Sequence, residues 1–249
     1  MEIMYDQSAW LSSNDYFYTV LPDNKAMLID YTGTEEEVTL PTTLDGHEVY
    51  GVVAPVFFQN RVIKAVTIPD SVQYCASNPF ALPFNTPELR ISPYHPTLKF
   101  IDGVLYDTLR NMLVCYPTTK TDPIFTVPAW VQKIALGAIT GNSYLTTLIL
   151  PDGLTSVSAM SCMGNTALEA IYIPDSVTSI GEQALASNSS LKALIIPENV
   201  TTIGNWAFGR CHSLTTVIMK GRPDHLAWGI FDNCPDTQLI ALGSSDFSW

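Results

Sequence analysis

Residues 142–157 read NSYLTTLILPDGLTSV, residues 165–180 read NTALEAIYIPDSVTSI, and residues 188–203 read NSSLKALIIPENVTTI. The three align without a gap, each 23 residues from the last. Pro128, Pro151, Pro174 and Pro197 share this spacing, and so do Leu145, Leu168, Leu191 and Leu214. The unit is N-x-x-L-x-x-I-x-I-P-x-x-V-x-x-I-G-x-x-A-F. Repetition at one period is the mark of a solenoid, because a unit this short cannot bury its own core and is completed by its neighbours.

The grid extends outward. Upstream, Ser92 takes the proline's place, Pro69 lies 23 residues before it, and Pro41 ends a further strand after an insert around Asp45-Gly46-His47. Downstream, Lys220 takes the proline's place and a weaker strand follows with Ile240 and Leu242. The spacing predicts about nine parallel strands, near 36–40, 63–68, 86–91, 122–127, 145–150, 168–173, 191–196, 214–219 and 237–242. Within a unit, the alternation puts Ile171 and Ile173 on the core side and Tyr172 on the other face. Proline lacks the amide hydrogen of a continuing ladder and ends the strand. Val177 and Ile180 return to the core, Gly181 allows a tight turn, and Ala184 and Leu185 fill the core from a short helical or 3-10 turn. The runs GVLYD (103–107) and MLVCYP (112–117) predict a projecting β-hairpin inserted into one coil. Pro79 and Pro83 are expected to distort the turn after Pro69.

The chain has 249 residues, 47% hydrophobic and 14% charged, with a formal charge of −12. That is too apolar for disorder and too acidic for a general nucleic-acid binder, which needs a cationic face. Residues 1–60 hold ten acids and one base, so the acidity belongs to the N-terminal end, including Glu35, Glu36 and Glu37. No apolar run approaches the ~20 residues of a spanning helix. The start, MEIMYDQSAWLSS, lacks the pattern of a signal peptide, which leaves a cytoplasmic location open.

Three residues before each strand's first leucine sit Asn142, Asn165, Asn188 and Cys211, and Asn60 and Cys234 extend the column. An inward Asn or Cys at a corner can pair backbone groups of the adjacent coil that would otherwise be buried alone. This reading makes Cys211 and Cys234 structural, and Cys75 and Cys162 core residues. Cys115, in the hairpin, is the least constrained and the candidate for reactivity. No CxxC, GxSxG, P-loop or GxGxxG is present. His47, in the insert, and His95, in the loop after a strand, have no metal-ligand spacing, and His212 and His225, on turns of neighbouring coils, read as surface-turn residues. The expectation is a non-enzyme, with no catalytic, cofactor-binding or metal residues. NSS at 188 and NVT at 199 match the glycosylation pattern, but so short a match is common by chance.

Solenoids bind through the exposed face of the strands. Its positions read Thr39, Thr67, Arg90, Thr126, Ile149, Tyr172, Ile195, Ile218 and Ala241. Ile149, Tyr172, Ile195 and Ile218 form an apolar row flanked by Thr147, Ala170, Ala193 and Thr216, the candidate contact surface for a protein partner. The last strand, TQLIAL at 237–242, is an open edge through which copies could self-associate. The tail beyond it, with Phe247 and Trp249, is expected to shield it.

These residues resemble the BspA-like leucine-rich repeat family. LKALIIPENVTTIGNWAFGRCHSL (191–214) is the core of the likeness, FIDGVLYDTLRNMLVCYP (100–117) is similar to the hairpin these proteins carry, and VTLPTTLDGHEVYGV (38–52) and WGIFDNCP (228–235) look like their first and last turns. The resemblance implies a leucine-rich-repeat-like right-handed coil. It divides the chain into an acidic cap (1–34), a solenoid (35–243) and a tail (244–249). It implies adhesion or binding to a host or matrix protein at a bacterial surface or outside the cell, and no catalysis. An intracellular scaffold is the alternative.

Overall fold

The computed structural model describes residues 10–53, 56, 57, 60, 62–79 and 87–242. Two compact units divide the chain, Met1–Tyr116 and Pro117–Trp249. The second holds the regular repeat. Strands Ile124–Thr126, Thr147–Ile149 and Ala170–Tyr172 form one parallel sheet, and Ala193–Ile196, Thr216–Met219 and Gln238–Ala241 form another. In the first unit, Glu37–Thr39, Ala65–Ile68 and Glu88–Ile91 form a third. All nine expected strands are present, grouped in threes rather than in one continuous sheet. No bridge joins Ala170–Tyr172 to Ala193–Ile196, and beside that gap Ile171 is half-buried, not enclosed as its alternation suggests.

The columns of the repeat are the core. Leu145, Leu168, Leu191 and Leu214 are fully enclosed, as are Leu154, Val177 and Val200 one corner further on. Each buried leucine stabilises the coil by roughly 2 kcal/mol. The carbonyls of Pro128, Pro151, Pro174 and Pro197 each accept the amide three residues later, so the proline that ends a strand also starts a turn.

The expected helical or 3-10 turns are absent among the described residues. In their place the second unit has a third parallel sheet, of two-residue strands, Ser156–Val157, Ser179–Ile180, Thr202–Ile203 and His225–Leu226. The turns that follow send their amides to the next coil. Gln183, Leu185 and Ser187 donate to the carbonyls of Asn205, Ala207 and Gly209, and Trp206, Phe208 and Arg210 to those of Trp228, Ile230 and Asp232. A helix would need those amides for itself. Two columns of left-handed residues also interrupt it: Gly137, Met160, Gln183, Trp206 and Gly229, and four residues later Gly141, Gly164, Ser187, Arg210 and Asn233. A left-handed non-glycine residue costs about 1–2 kcal/mol, so these turns are held by the inter-coil bonds. Gly181 has a different role from the one expected. A Cβ there would lie 2.5 Å from the Ala159 nitrogen, and one at Gly204 would lie 2.5 Å from the Glu182 nitrogen. Glycine is needed because two coils approach closely.

The first unit is more varied. Leu11–Ser13, Tyr16–Val20 and Ala26–Tyr31 form an antiparallel meander, and His47–Val52 runs parallel to Ala26–Tyr31. Thr43–Leu44 pairs back on His47–Val52 through Asp45 and Gly46, both at positive φ, as a two-residue hairpin requires. The expected hairpin is present as Val104–Asp107 and Met112–Cys115, joined by a third strand, Leu98–Ile101, through Asp102-Gly103. It does not project: both of its expected strands are buried throughout. Arg110 pins it, donating to Asp107 at 2.7 Å, to the Gln73 carbonyl at 2.9 Å and to the Tyr50 hydroxyl at 3.0 Å. The expected distortion around Pro83 and the tail with Phe247 and Trp249 lie outside the described residues.

Candidate functional site: the outer face of the long strands

Strand pairing aligns the apolar row in two separate pairs. Ile149 lies beside Tyr172 with Thr147 beside Ala170, and Ile195 lies beside Ile218 with Ala193 beside Thr216. Tyr172 is 52% exposed and Ile195 48%, while Ile149 and Ile218 are half-buried. The alternation explains this: Leu148, Leu194 and Val217, one residue away, are buried. Alongside, Lys192 pairs with Glu169 at 2.7 Å, an exposed ion pair that adds little stability but edges the apolar strip with charge.

The ninth position differs from the expectation. Val217 pairs with Leu239 and Ile218 with Ile240, a spacing of 22. One residue fewer before the last strand turns it over, since a slip of one exchanges faces. Ile240, 44% exposed, therefore continues the row in place of Ala241, and Leu242 is 55% exposed. The signal was in the sequence, where Thr237 rather than a leucine follows Cys234 by three residues.

The matching face of the first unit is polar. Thr39, Thr67 and Arg90 lie side by side, and Arg90 bridges Glu37 at 3.0 Å and Glu88 at 2.9 Å. Lys64 pairs with Glu36 at 2.7 Å, so two acids of the N-terminal cluster are neutralised on this face.

The corner residues form a hydrogen-bonded ladder. The Asn165 amide nitrogen of the side chain donates to the carbonyls of Ile139 and Cys162, and its Oδ1 accepts the Asn142 amide. Asn188 repeats this on Cys162, Leu185 and the Asn165 amide. Cys211 and Cys234 keep one rung each, donating to Leu185 and Phe208 at 3.3 and 3.2 Å. Asn142 closes the column on the Lys120 carbonyl at 2.8 Å, and in the first unit Asn60 reaches the Gly33 carbonyl at 2.7 Å. Asn188 is fully buried, so the match at NSS has no accessible amide.

All five cysteines are free thiols. Cys115 is not the least constrained: it is fully buried, and burial pushes its thiol up to about 12, which leaves almost no thiolate at neutral pH. Cys75, Cys162 and Cys211 are raised to about 12 by the same cause. His95, in the loop after a strand, is enclosed as well. It is 2% exposed, its Nδ1 accepting the Leu98 amide at 3.0 Å and its Nε2 facing the Pro69 carbonyl at 3.3 Å. His212 and His225 are exposed. Among the described residues no group of three His, Cys, Asp or Glu side chains is placed to hold a metal, and no helix is long and apolar enough to cross a membrane.

A coil of 23-residue units with short strands, buried leucine columns and an Asn/Cys corner defines a leucine-rich repeat solenoid. Residues 116–238 match the BspA type leucine rich repeat region in six copies, which makes this part of the chain a repeat region of that type. Its fold is similar to that of a leucine rich cell surface protein from Faecalibacterium prausnitzii, with a TM-score of 0.60 at 19% identity, covering 95% of each chain. It is also similar to the pneumococcal vaccine antigen PcpA, with a TM-score of 0.54 at 16% identity, covering 96% of this chain and 89% of that one. No curated protein matches the chain in sequence.

Proposed function

We propose that the chain is a non-catalytic binding module of a surface or secreted bacterial protein, holding a host or matrix protein against the outer face of its long strands. The observation that carries this is the apolar row built from the register pairs Ile149–Tyr172 and Ile195–Ile218, extended by Ile240. Apolar side chains repeated along rigid strands present a preordered strip, and an exposed tyrosine at its centre is a favoured anchor. The description of the Faecalibacterium protein as a cell surface protein supports the location. Nothing in the reading calls for a cofactor, a nucleic acid or a membrane span.

The test is binding of the purified chain to a panel of immobilised extracellular-matrix proteins. Wild type binds one or more saturably, and the double variant Tyr172→Ser, Ile195→Ser loses that binding with an unchanged urea midpoint. Equal binding by the double variant removes the strip from consideration.

A second reading is self-assembly. It is favoured by the edge strand Gln238–Ala241, which has a neighbour on one side only among the described residues and exposes Ile240 and Leu242. Light scattering should then show a dimer that grows with concentration and that Ile240→Lys abolishes. A mass that stays monomeric at every concentration ends this reading.

A further inference from the structure

We infer that the turns of the last repeats form a second ligand site, which takes a neutral oligosaccharide on the indole of Trp228. A cleft of about 540 Å³ opens there, lined by Met163, Gln183, Trp206, Arg210, Trp228 and Asp232. Its size is that of small-molecule sites. It lies on the turns that follow Ser179–Ile180, Thr202–Ile203 and His225–Leu226, and it shares no residue with the strip on the long strands.

The cleft recognises through side chains. The amides of Gln183, Trp206 and Arg210 are already given to the next coil, so an extended peptide finds no ladder to join at these positions. Trp228 is 71% exposed, yet its ring is held in place: it meets Trp206 at 5.3 Å between centroids and 87° between planes. Trp206 is positioned in turn by the bare Gly229, where a Cβ would come within 3.0 Å of the indole nitrogen. A preordered, open indole face is a stacking platform that loses little freedom when a ligand covers it.

Around it stand planar polar groups. Among the described residues the Gln183 amide and the Arg210 guanidinium have no side-chain hydrogen bond, while Asp232 accepts one, from Asn233 at 3.0 Å. Each can grip two adjacent hydroxyls. Arg210 and Asp232 are the only charged lining residues and they cancel, which favours a neutral ligand over an ammonium or a phosphate. A β-linked pyranose meets all of these terms. Its axial C–H bonds make an apolar face for the indole, and its equatorial hydroxyls form a polar rim for the side chains.

The backbone supports the same assignment. Gln183, Ser187, Trp206 and Arg210 are left-handed at positions where other coils use Gly137, Gly141, Gly164 and Gly229. All four line the cleft. Strain retained where glycine serves elsewhere marks side chains that are needed.

The experiment titrates the full chain with cellotetraose and, separately, with tetra-N-acetylchitotetraose, following tryptophan emission and heat. Saturable binding of at least one is expected. Trp228→Ala should weaken it by about tenfold, the worth of one stacked ring. Arg210→Ala, at another exposed position, gives an independent variant with the same direction, and Tyr172→Ser should bind as wild type does. No saturable response to either sugar, wild-type affinity in Trp228→Ala, or displacement by tetramethylammonium would each overturn the assignment.

Discussion

Replacing Asn165 by alanine should be among the most destabilising single changes in the chain. The side chain is fully buried and makes three hydrogen bonds, all to backbone. The Cys162 carbonyl keeps a second donor in Asn188. The Asn142 amide and the Ile139 carbonyl have no other partner among the bonds described here, and each would be stranded in the interior. A buried group left unpaired costs about 1–3 kcal/mol, so two of them cost about 4 kcal/mol together. That is a large fraction of a typical net stability of about 5–15 kcal/mol.

The column supplies its own control. At Cys211 and Cys234 a thiol keeps the bond to the carbonyl 26 residues back and loses the short bond to the carbonyl three residues back. Asn165→Cys should therefore keep the Ile139 rung and cost about half as much as alanine, roughly 2 kcal/mol. Urea denaturation followed by far-UV circular dichroism measures both. A loss under about 1 kcal/mol for Asn165→Ala would show that the ladder is not what satisfies the corner. Equal losses for the two variants would show that the thiol is not a substitute rung.

Asp107→Ala leaves the Arg110 charge only the neutral Gln73 and Tyr50 partners and should cost about 3 kcal/mol in the same assay, with Asp107→Leu, Arg110→Met recovering more than half of it. For His95, burial lowers the pKa below the ordinary imidazole value by disfavouring the charged ring. The unfolded chain takes the proton first, so the melting temperature should fall as pH drops below about 6.5, and His95→Gln should flatten that slope. At pH 8 a thiol reagent should modify Cys234 alone in the native protein, since it is the one half-exposed cysteine, and the other four only on unfolding; fast reaction at Cys115 would contradict its burial.

The strands were legible because three constraints coincide at every period: a leucine, an alternating pair and a proline without an amide hydrogen. The corner column was legible for a similar reason, since a polar residue repeated between apolar ones has to be paired. The turns were not. Ala184 and Leu185 occur in a pattern that suits a helical turn, but the amides of Leu185 and Ser187 go to another coil, which local sequence cannot report. Cys115 and His95 are enclosed for one shared reason, which local sequence does not carry. Hairpins and loops usually lie at the surface, whereas here both hairpin strands are buried and His95 pairs backbone groups on both of its nitrogens. The reversed last strand needed only one missing residue, too small a change to outweigh a period seen in the preceding coils.

A solenoid makes its own exceptions visible, because every residue has counterparts one coil away. Along the strands the exception is Tyr172, exposed in a column that is otherwise aliphatic from Ile149 to Ile218. Along the turns six of the ten left-handed positions bear side chains, each carrying a cost of about 1–2 kcal/mol that the four glycines avoid. Four of those six surround the tryptophan cleft, and Asn233 beside them is of a type that tolerates this conformation. Nothing in the structure accounts for Met160, left-handed in the same column and outside the cleft lining. The strained positions therefore collect over one stretch of turns instead of spreading evenly along the coil. A repeat under pressure only to fold would converge on glycine there. The side chains kept at Gln183, Ser187, Trp206 and Arg210 locate the demand on the surface they present.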